Sequence, residues 1–196
     1  MPKKLYFIRH AETIENVRIE GLRNIGRSFQ KFKRPQSSDV KLGAQGLVGF
    51  AAGHTDAELS SKGKEQIQQL AEILEKENFF ENITIMAHSP LVRAVQTCQG
   101  IVQNHTNVNI VELECLKEMT PAELTLMMNV PLKKRFQQFI SWIEQQNDDE
   151  TIAVVGHSQY FMRLLGLNYK FKNCDVWQVE YLGDGKFGSI EKMYSI

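Results

Sequence analysis

The sequence predicts an α/β fold, a three-layer sandwich with a mostly parallel central sheet flanked by helices. Three observations predict it. Short apolar runs rich in β-branched and aromatic residues recur four times before His157, and stretches with apolar residues at helical spacing lie between them. One run, Thr151-Ile152-Ala153-Val154-Val155-Gly156, is apolar on both faces, as a strand buried in mid-sheet must be. Strands that alternate with helices are brought side by side and parallel by their crossovers. At 196 residues, with 42% hydrophobic and 23% charged, the chain suits one domain, 1–196, with a sizeable core.

Taken in order, Leu5-Tyr6-Phe7-Ile8-Arg9 is the first buried strand. Residues 17–58 then break the rhythm. Arg18, Arg23, Arg27, Lys31, Lys33, Arg34 and Lys41 crowd its first part against Glu20 and Asp39, and Gly43, Gly46, Gly49 and Gly53 follow. This segment is expected to be a long loop, an insertion or lid, since loops of this length are functional or mobile. A helix follows over 61–78, where Ile67, Leu70, Ala71 and Leu74 share a face. The run 83–87 is a second buried strand. Residues 91–102 form a helix with Pro90 tolerated at its first turn, and 108–113 alternates as a third strand.

Helices are expected over 121–129 and 132–146, the latter burying Phe136, Phe139, Ile140 and Ile143. The fourth strand, 151–156, is central, and a helix over 158–167 leaves it. Strands at 176–182 and 188–194, turned at Gly183-Asp184-Gly185, close the sheet.

Charge excludes some classes of partner. Lys plus Arg and Asp plus Glu each number 23, so no global field attracts nucleic acid or an acidic membrane. No stretch approaches the roughly 20 apolar residues of a membrane span. The basic start gives way to an apolar run that ends at Arg9, too short for a secretory signal, and Glu12 and Glu15 argue against a mitochondrial presequence. Cys98, Cys115 and Cys174 are odd in number and far apart, which suits a reducing, cytoplasmic setting. Oligomeric state is not legible.

Chemistry-bearing residues gather at one rim. Arg9-His10 ends the first strand, Ser89 to Arg93 follows the second, Leu116-Lys117-Glu118 comes after the third, and Gly156-His157-Ser158 ends the fourth. Ligands of open α/β sheets bind beyond the carboxyl ends of the strands. Four distant segments thus bring two imidazoles, two guanidiniums and a carboxylate together. Arginine's planar, permanently charged fork suits a phosphate ester. A neutral His10 can attack phosphorus, and Glu118 can protonate the leaving alkoxide and then activate water.

These segments carry a resemblance. Leu5 to Asn16, LYFIRHAETIEN, resembles the signature of the histidine phosphatase superfamily, also called the phosphoglycerate mutase-like family. HSPLVRAVQT at 88–97 is similar to its second signature, VVGHS at 154–158 to its third, and DAELSSKG at 56–63 to its stretch leading into a helix. The resemblance implies His10 as nucleophile, and Arg9, Arg93, Asn16 and His157 around the phosphate. The resemblance also implies a catalytic role for His157. It implies Glu118 as the acid, the leucine-flanked Glu114 being the second choice. No cofactor and no metal are implied, and arginines beside the histidines would repel a dication.

The sequence departs from the pattern in three places. Ala11 replaces a glycine after the nucleophile, His88 stands where a small residue is usual, and Met119 to Glu123 replaces the family's Gly-x-Trp-Glu-Gly. The Arg-His-Tyr-Gly segment of bisphosphoglycerate-dependent mutases is missing, which favours a phosphatase. The expectation is therefore a metal-independent, histidine acid phosphatase-like phosphomonoesterase acting on a phosphorylated small molecule or phosphoprotein. A phosphoglycerate-type mutase and a non-catalytic phospho-ligand-binding module are the alternatives. His54 and His105 read as structural, and the basic stretch as either a solvated face or a cationic lid.

Overall fold

β1 (Lys3–Arg9) sends Leu5 and Phe7 into one core and Ile8 into another, so both faces of the strand carry core residues. The protein is described by a computed structural model covering residues 2–30, 35–51, 56–119 and 129–196. Its other strands are β2 (Ile85–His88), β3 (Asn109–Glu112), β4 (Ile152–Gly156), β5 (Val176–Gly183) and β6 (Lys186–Tyr194). They form one sheet in the order β3-β2-β4-β1-β5-β6. The first four pair in parallel, and β5 and β6 extend the β1 edge antiparallel. The fourth strand is central, as its double-faced apolar run requires.

Helices cover both faces. α1 (Ile14–Gln30) and α2 (Ser37–Ala51) come first, then α3 (Ser61–Lys76), α4 (Val92–Val102), α5 (Asn129–Gln145) and α6 (Ser158–Leu164). Ile67, Leu70 and Leu74 of α3 and Ala94, Cys98 and Ile101 of α4 pack with Met86, Ala153 and Val155. On the opposite face, Leu132, Phe139 and Ile143 of α5 and Tyr160 and Phe161 of α6 pack with Ile85, Ala87, Ile152 and Val154. The three-layer sandwich is thus present. α6 stops short of 167 because Gly166 turns to a φ of +65°. The helix expected over 121–129 falls, up to residue 128, outside the described residues.

The expected long loop at 17–58 is corrected by the structure. α1 and α2 occupy most of it, packed on one another. Gly43 misled because it marks a contact and not a turn, as Gly21 does on the facing helix. A Cβ on Gly21 would lie 2.8 Å from the Leu42 Cβ, and one on Gly43 2.8 Å from the Ile25 Cδ1. Close approach of the two helices is what these positions require. The charges crowding α1 also pair locally, Arg18 with Glu15 and both Arg23 and Arg27 with Glu20. Exposed pairs are worth only about 0.2–1 kcal/mol each, so the packing of α1 on α2 outweighs them.

Candidate active site

The sheet register brings the site together. Arg9 pairs with Gly156 and His88 with Val155, so the chain leaves β1, β4 and β2 at adjacent points of one edge. His10 N–H donates to the Gly156 carbonyl at 3.0 Å and Ser89 N–H to that of Val155 at 3.1 Å. His10 and His157 thereby sit with ring centroids 5.2 Å apart.

The loop after β1 is stitched down on all sides. Ala11 N–H donates to the Thr97 hydroxyl at 3.0 Å, and that hydroxyl donates to the Arg93 carbonyl at 2.7 Å. Ala11 is fully buried in the core and does not line the cavity, so its methyl takes no room from a ligand there. Ser60 caps α3 by accepting from Gly63 N–H, while its own N–H donates to the Glu12 carbonyl. A Cβ at Gly63 would stand 2.0 Å from that same carbonyl oxygen, so glycine alone fits.

A cavity of about 980 Å³ opens at this edge, and Arg9, His10, Asn16, Arg93 and Glu118 all line it. Volumes of roughly 300–1,000 Å³ are those of small-molecule sites. His10 Nδ1 lies 2.7 Å from the Ala11 carbonyl. A carbonyl can only accept, so Nδ1 carries the proton and Nε2 keeps its lone pair. Burial, then Arg9 and Arg93, hold this ring's pKa well below its ordinary value. Arg9 donates to the Phe171 carbonyl at 2.7 Å. Arg93 lies 3.6 Å from Asp56, whose carboxylate also accepts from Val92 N–H at the start of α4.

Glu118 accepts from Met119 N–H at 2.9 Å and Tyr160 N–H at 3.1 Å through one oxygen. Burial raises its pKa, and these backbone donors and Arg93 work against the rise. Glu114 is exposed, paired with Lys117 and off the cavity wall. Asn16 Oδ1 accepts from Thr13 N–H at 3.2 Å and from Asn173 Nδ2 at 3.4 Å, which turns its own NH₂ away from both donors.

His157 stands apart from the other expected residues. It is fully buried and not on the cavity wall, its Nε2 2.8 Å from the Ser89 hydroxyl. Burial, then His10 and the nearby arginines, lower its pKa well below the ordinary value. His88 is buried with Nδ1 directed to the Ser89 carbonyl, also off the wall. His105 pairs with Glu75 and stacks on Phe80, the structural place expected of it. His54 lies outside the described residues. Among those described, no three His, Cys, Asp or Glu side chains gather as a metal would need, and no helix is long and apolar enough to cross a membrane.

The sequence left several lining residues unread. Asn173 donates to the His10 carbonyl at 2.9 Å as well as to Asn16. Arg135, Lys170 and Gln159 line the cavity, and α1 contributes Glu15, Ile19, Glu20 and Arg23. The α1 residues were legible only as a helix face, which the glycines beyond them hid. Asn173 gave no signal, since 163 residues separate it from His10. Near His10, Arg9 Nε, Ser158 Oγ and His157 Nδ1 are buried without a partner among the described residues. Buried donors left unpaired in this way favour an anion.

Residues 44–128 match the model of the histidine phosphatase superfamily, branch 1. No curated protein matches by sequence. Among solved structures, the alpha-ribazole phosphatase of Shigella flexneri superposes with a TM-score of 0.63 at 16% identity, over 98% of this chain and 96% of that one. A phosphoserine phosphatase of Entamoeba histolytica, in complex with 3-phosphoglyceric acid, gives 0.59 at 19%, over 97% and 98%. A mycobacterial glucosyl-3-phosphoglycerate phosphatase gives 0.55 at 16%, over 99% and 98%. At these identities the likeness is one of fold, and it extends from end to end.

Proposed function

We propose that this chain, with its match to the histidine phosphatase superfamily and the fold of phosphatases, hydrolyses phosphomonoesters through a phosphohistidine on His10 without a metal ion. The observation that carries the reading is the His10 tautomer: Nδ1–H is spent on the Ala11 carbonyl, and the Nε2 lone pair is left beside two arginines. Nε2 attacks phosphorus, the P–O bond to the alcohol breaks, and the alkoxide leaves with the Glu118 proton. The Glu118 carboxylate then takes a proton from water, whose oxygen attacks the phosphohistidine. Inorganic phosphate departs and His10 returns neutral. Arg9, Arg93 and Asn16 stabilise the oxygens of the transferring group from the cavity wall, and His157 does so from beneath it, its ring centroid 5.2 Å from that of His10.

The cavity is far larger than phosphate and carries mixed charge. Arg9, Arg23, Arg93, Lys117, Arg135 and Lys170 line it with Glu12, Glu15, Glu20 and Glu118. In this reading the 17–58 segment acts as a substrate-contacting wall, built on α1, in place of a free cationic lid. A phosphorylated metabolite of substantial size fits best, recognised through polar groups beyond its phosphate.

The test is phosphate release from an aryl phosphate in excess chelator, by the native chain and His10→Ala. Activity that survives chelator and disappears in the variant, with label on His10 after a quench, is the expected result. Activity unchanged in the variant overturns the mechanism. Isomerised product on adding bisphosphoglycerate indicates a mutase, and phosphate binding with no label on His10 a binding module.

A further inference from the structure

The buried contact between His157 and Ser89 defines where the proton of that imidazole sits. Both residues are fully buried, and His157 Nε2 lies 2.8 Å from Ser89 Oγ. The same hydroxyl oxygen also lies 3.3 Å from Leu91 N–H, which can only donate to it. A serine hydroxyl has one proton to give and two lone pairs. Were the imidazole to donate at Nε2, the Ser89 oxygen would accept twice. Its own proton would then have no acceptor among the described residues, in a fully buried place. With the hydroxyl donating to Nε2, each group at this contact is used, and the ring proton must be on Nδ1.

Nδ1 is the nitrogen that is buried without a partner among the described residues. We propose that Ser89 is a positioning residue that fixes His157 as its Nδ1–H tautomer, making a neutral ring a hydrogen-bond donor to the phosphoryl group carried by His10. The proposal deepens the reading above and rests on it for the identity of the anion. His10 and His157 then hold the same tautomer for opposite uses. His10 spends its Nδ1 proton on Ala11 and offers a lone pair at Nε2. His157 fills its Nε2 lone pair with Ser89 and offers a proton at Nδ1. A protonated ring would donate at both nitrogens unaided, but a cation is disfavoured in this buried place beside Arg9 and Arg93. A neutral donor therefore needs a neighbour that occupies the other nitrogen, and Ser89 is that neighbour.

The test reads the proton directly. The full chain is labelled with ¹⁵N in its histidine rings, and His157 is assigned by the signals lost in His157→Gln. The expected spectrum of the native protein has Nδ1 protonated and Nε2 unprotonated. In Ser89→Ala the proton moves to, or is shared with, Nε2. The affinity for inorganic phosphate and the single-turnover rate of transfer to His10 each fall, the rate by about 10- to 100-fold, as when a histidine loses its orienting partner. A proton on Nε2 in the native protein overturns the proposal. So does a Ser89→Ala protein that loses thermal stability while its His157 tautomer and phosphate affinity stay as they were. The tautomer and the phosphate affinity are read without turnover, so a chain that proves catalytically silent still tests Ser89.

Discussion

Glu118 is held between opposing influences, and its chemistry depends on their balance. Burial favours the protonated acid, whereas Arg93 and the backbone N–H groups of Met119 and Tyr160 favour the carboxylate. An acid in that position matters in proportion to how poorly the alcohol leaves. Glu118→Gln should therefore slow hydrolysis of alkyl phosphates by about 10²- to 10⁴-fold and an activated aryl phosphate far less. Equal losses on both, from steady-state kinetics, would remove Glu118 from proton transfer. At this scale the sequence was informative where chemistry and position coincide. His10, Arg93 and Glu118 follow strand ends or their next turn, and they line the cavity. It was blind to residues whose use depends on who lies opposite, as with Ser89 against His157 and Asp56 against Arg93.

Among the elements, the segment between α6 and β5 does the most to hold the site. The Phe171 carbonyl takes the Arg9 guanidinium, Cys174 N–H donates to the Arg9 carbonyl, and Arg9 N–H donates to that of Asp175. Asn173 completes this grip through the His10 carbonyl and Asn16 Oδ1. Replacing Asn173 by Asp would set a carboxylate against two acceptors and release the Asn16 amide. Asn173→Asp is expected to raise KM by several-fold up to roughly tenfold, the loss of a part-buried hydrogen bond costing about 0.5–1.5 kcal/mol, with Asn173→Ala milder. A ranking in which Ala is the worse would assign Asn173 a packing role. The order and periodicity of β1, β2, β4, α3 and α4 were readable because apolar spacing decides them. α1 and α2 were not, since Gly21 and Gly43 serve a contact between helices that local sequence cannot distinguish from a turn. The segment at 165–175 holds no regular element, so nothing in its pattern points to Arg9.

For the whole molecule, the buried rings make stability depend on acidity. His10 and His157 both titrate well below the ordinary 6.5 in the folded state. The unfolded chain therefore binds their protons first. Their contribution is complete above the unfolded value and is lost as pH falls towards the folded one, at up to about 1.4 kcal/mol per pH unit for each ring. Glu118, raised from its ordinary 4.5, acts in the other direction: it favours the fold at low pH and ceases to as pH rises through its folded value. The urea midpoint should fall between pH 7 and pH 5.5, and His10→Gln should flatten that fall by about one proton. A midpoint indifferent to pH in this range would mean that the rings are not buried neutral.

Asp175 connects the hairpin to this chemistry. Buried behind the site, it receives Lys192 Nζ at 2.9 Å and the Ser195 hydroxyl at 2.8 Å from the strand β6 and the residues after it. Its backbone carbonyl in turn holds Arg9. Arg9 and the proposed nucleophile His10 are thus braced by residues far along the sequence. Until β5 and β6 are in place, Arg9 and His10 lack this bracing, and the closure joins the first strand in the sequence to the last. Contacts so distant along the chain form late in folding. In the proposed reading, competence for phosphate chemistry should accordingly arrive only when the hairpin closes on Asp175, leaving no partly folded form that is an active one.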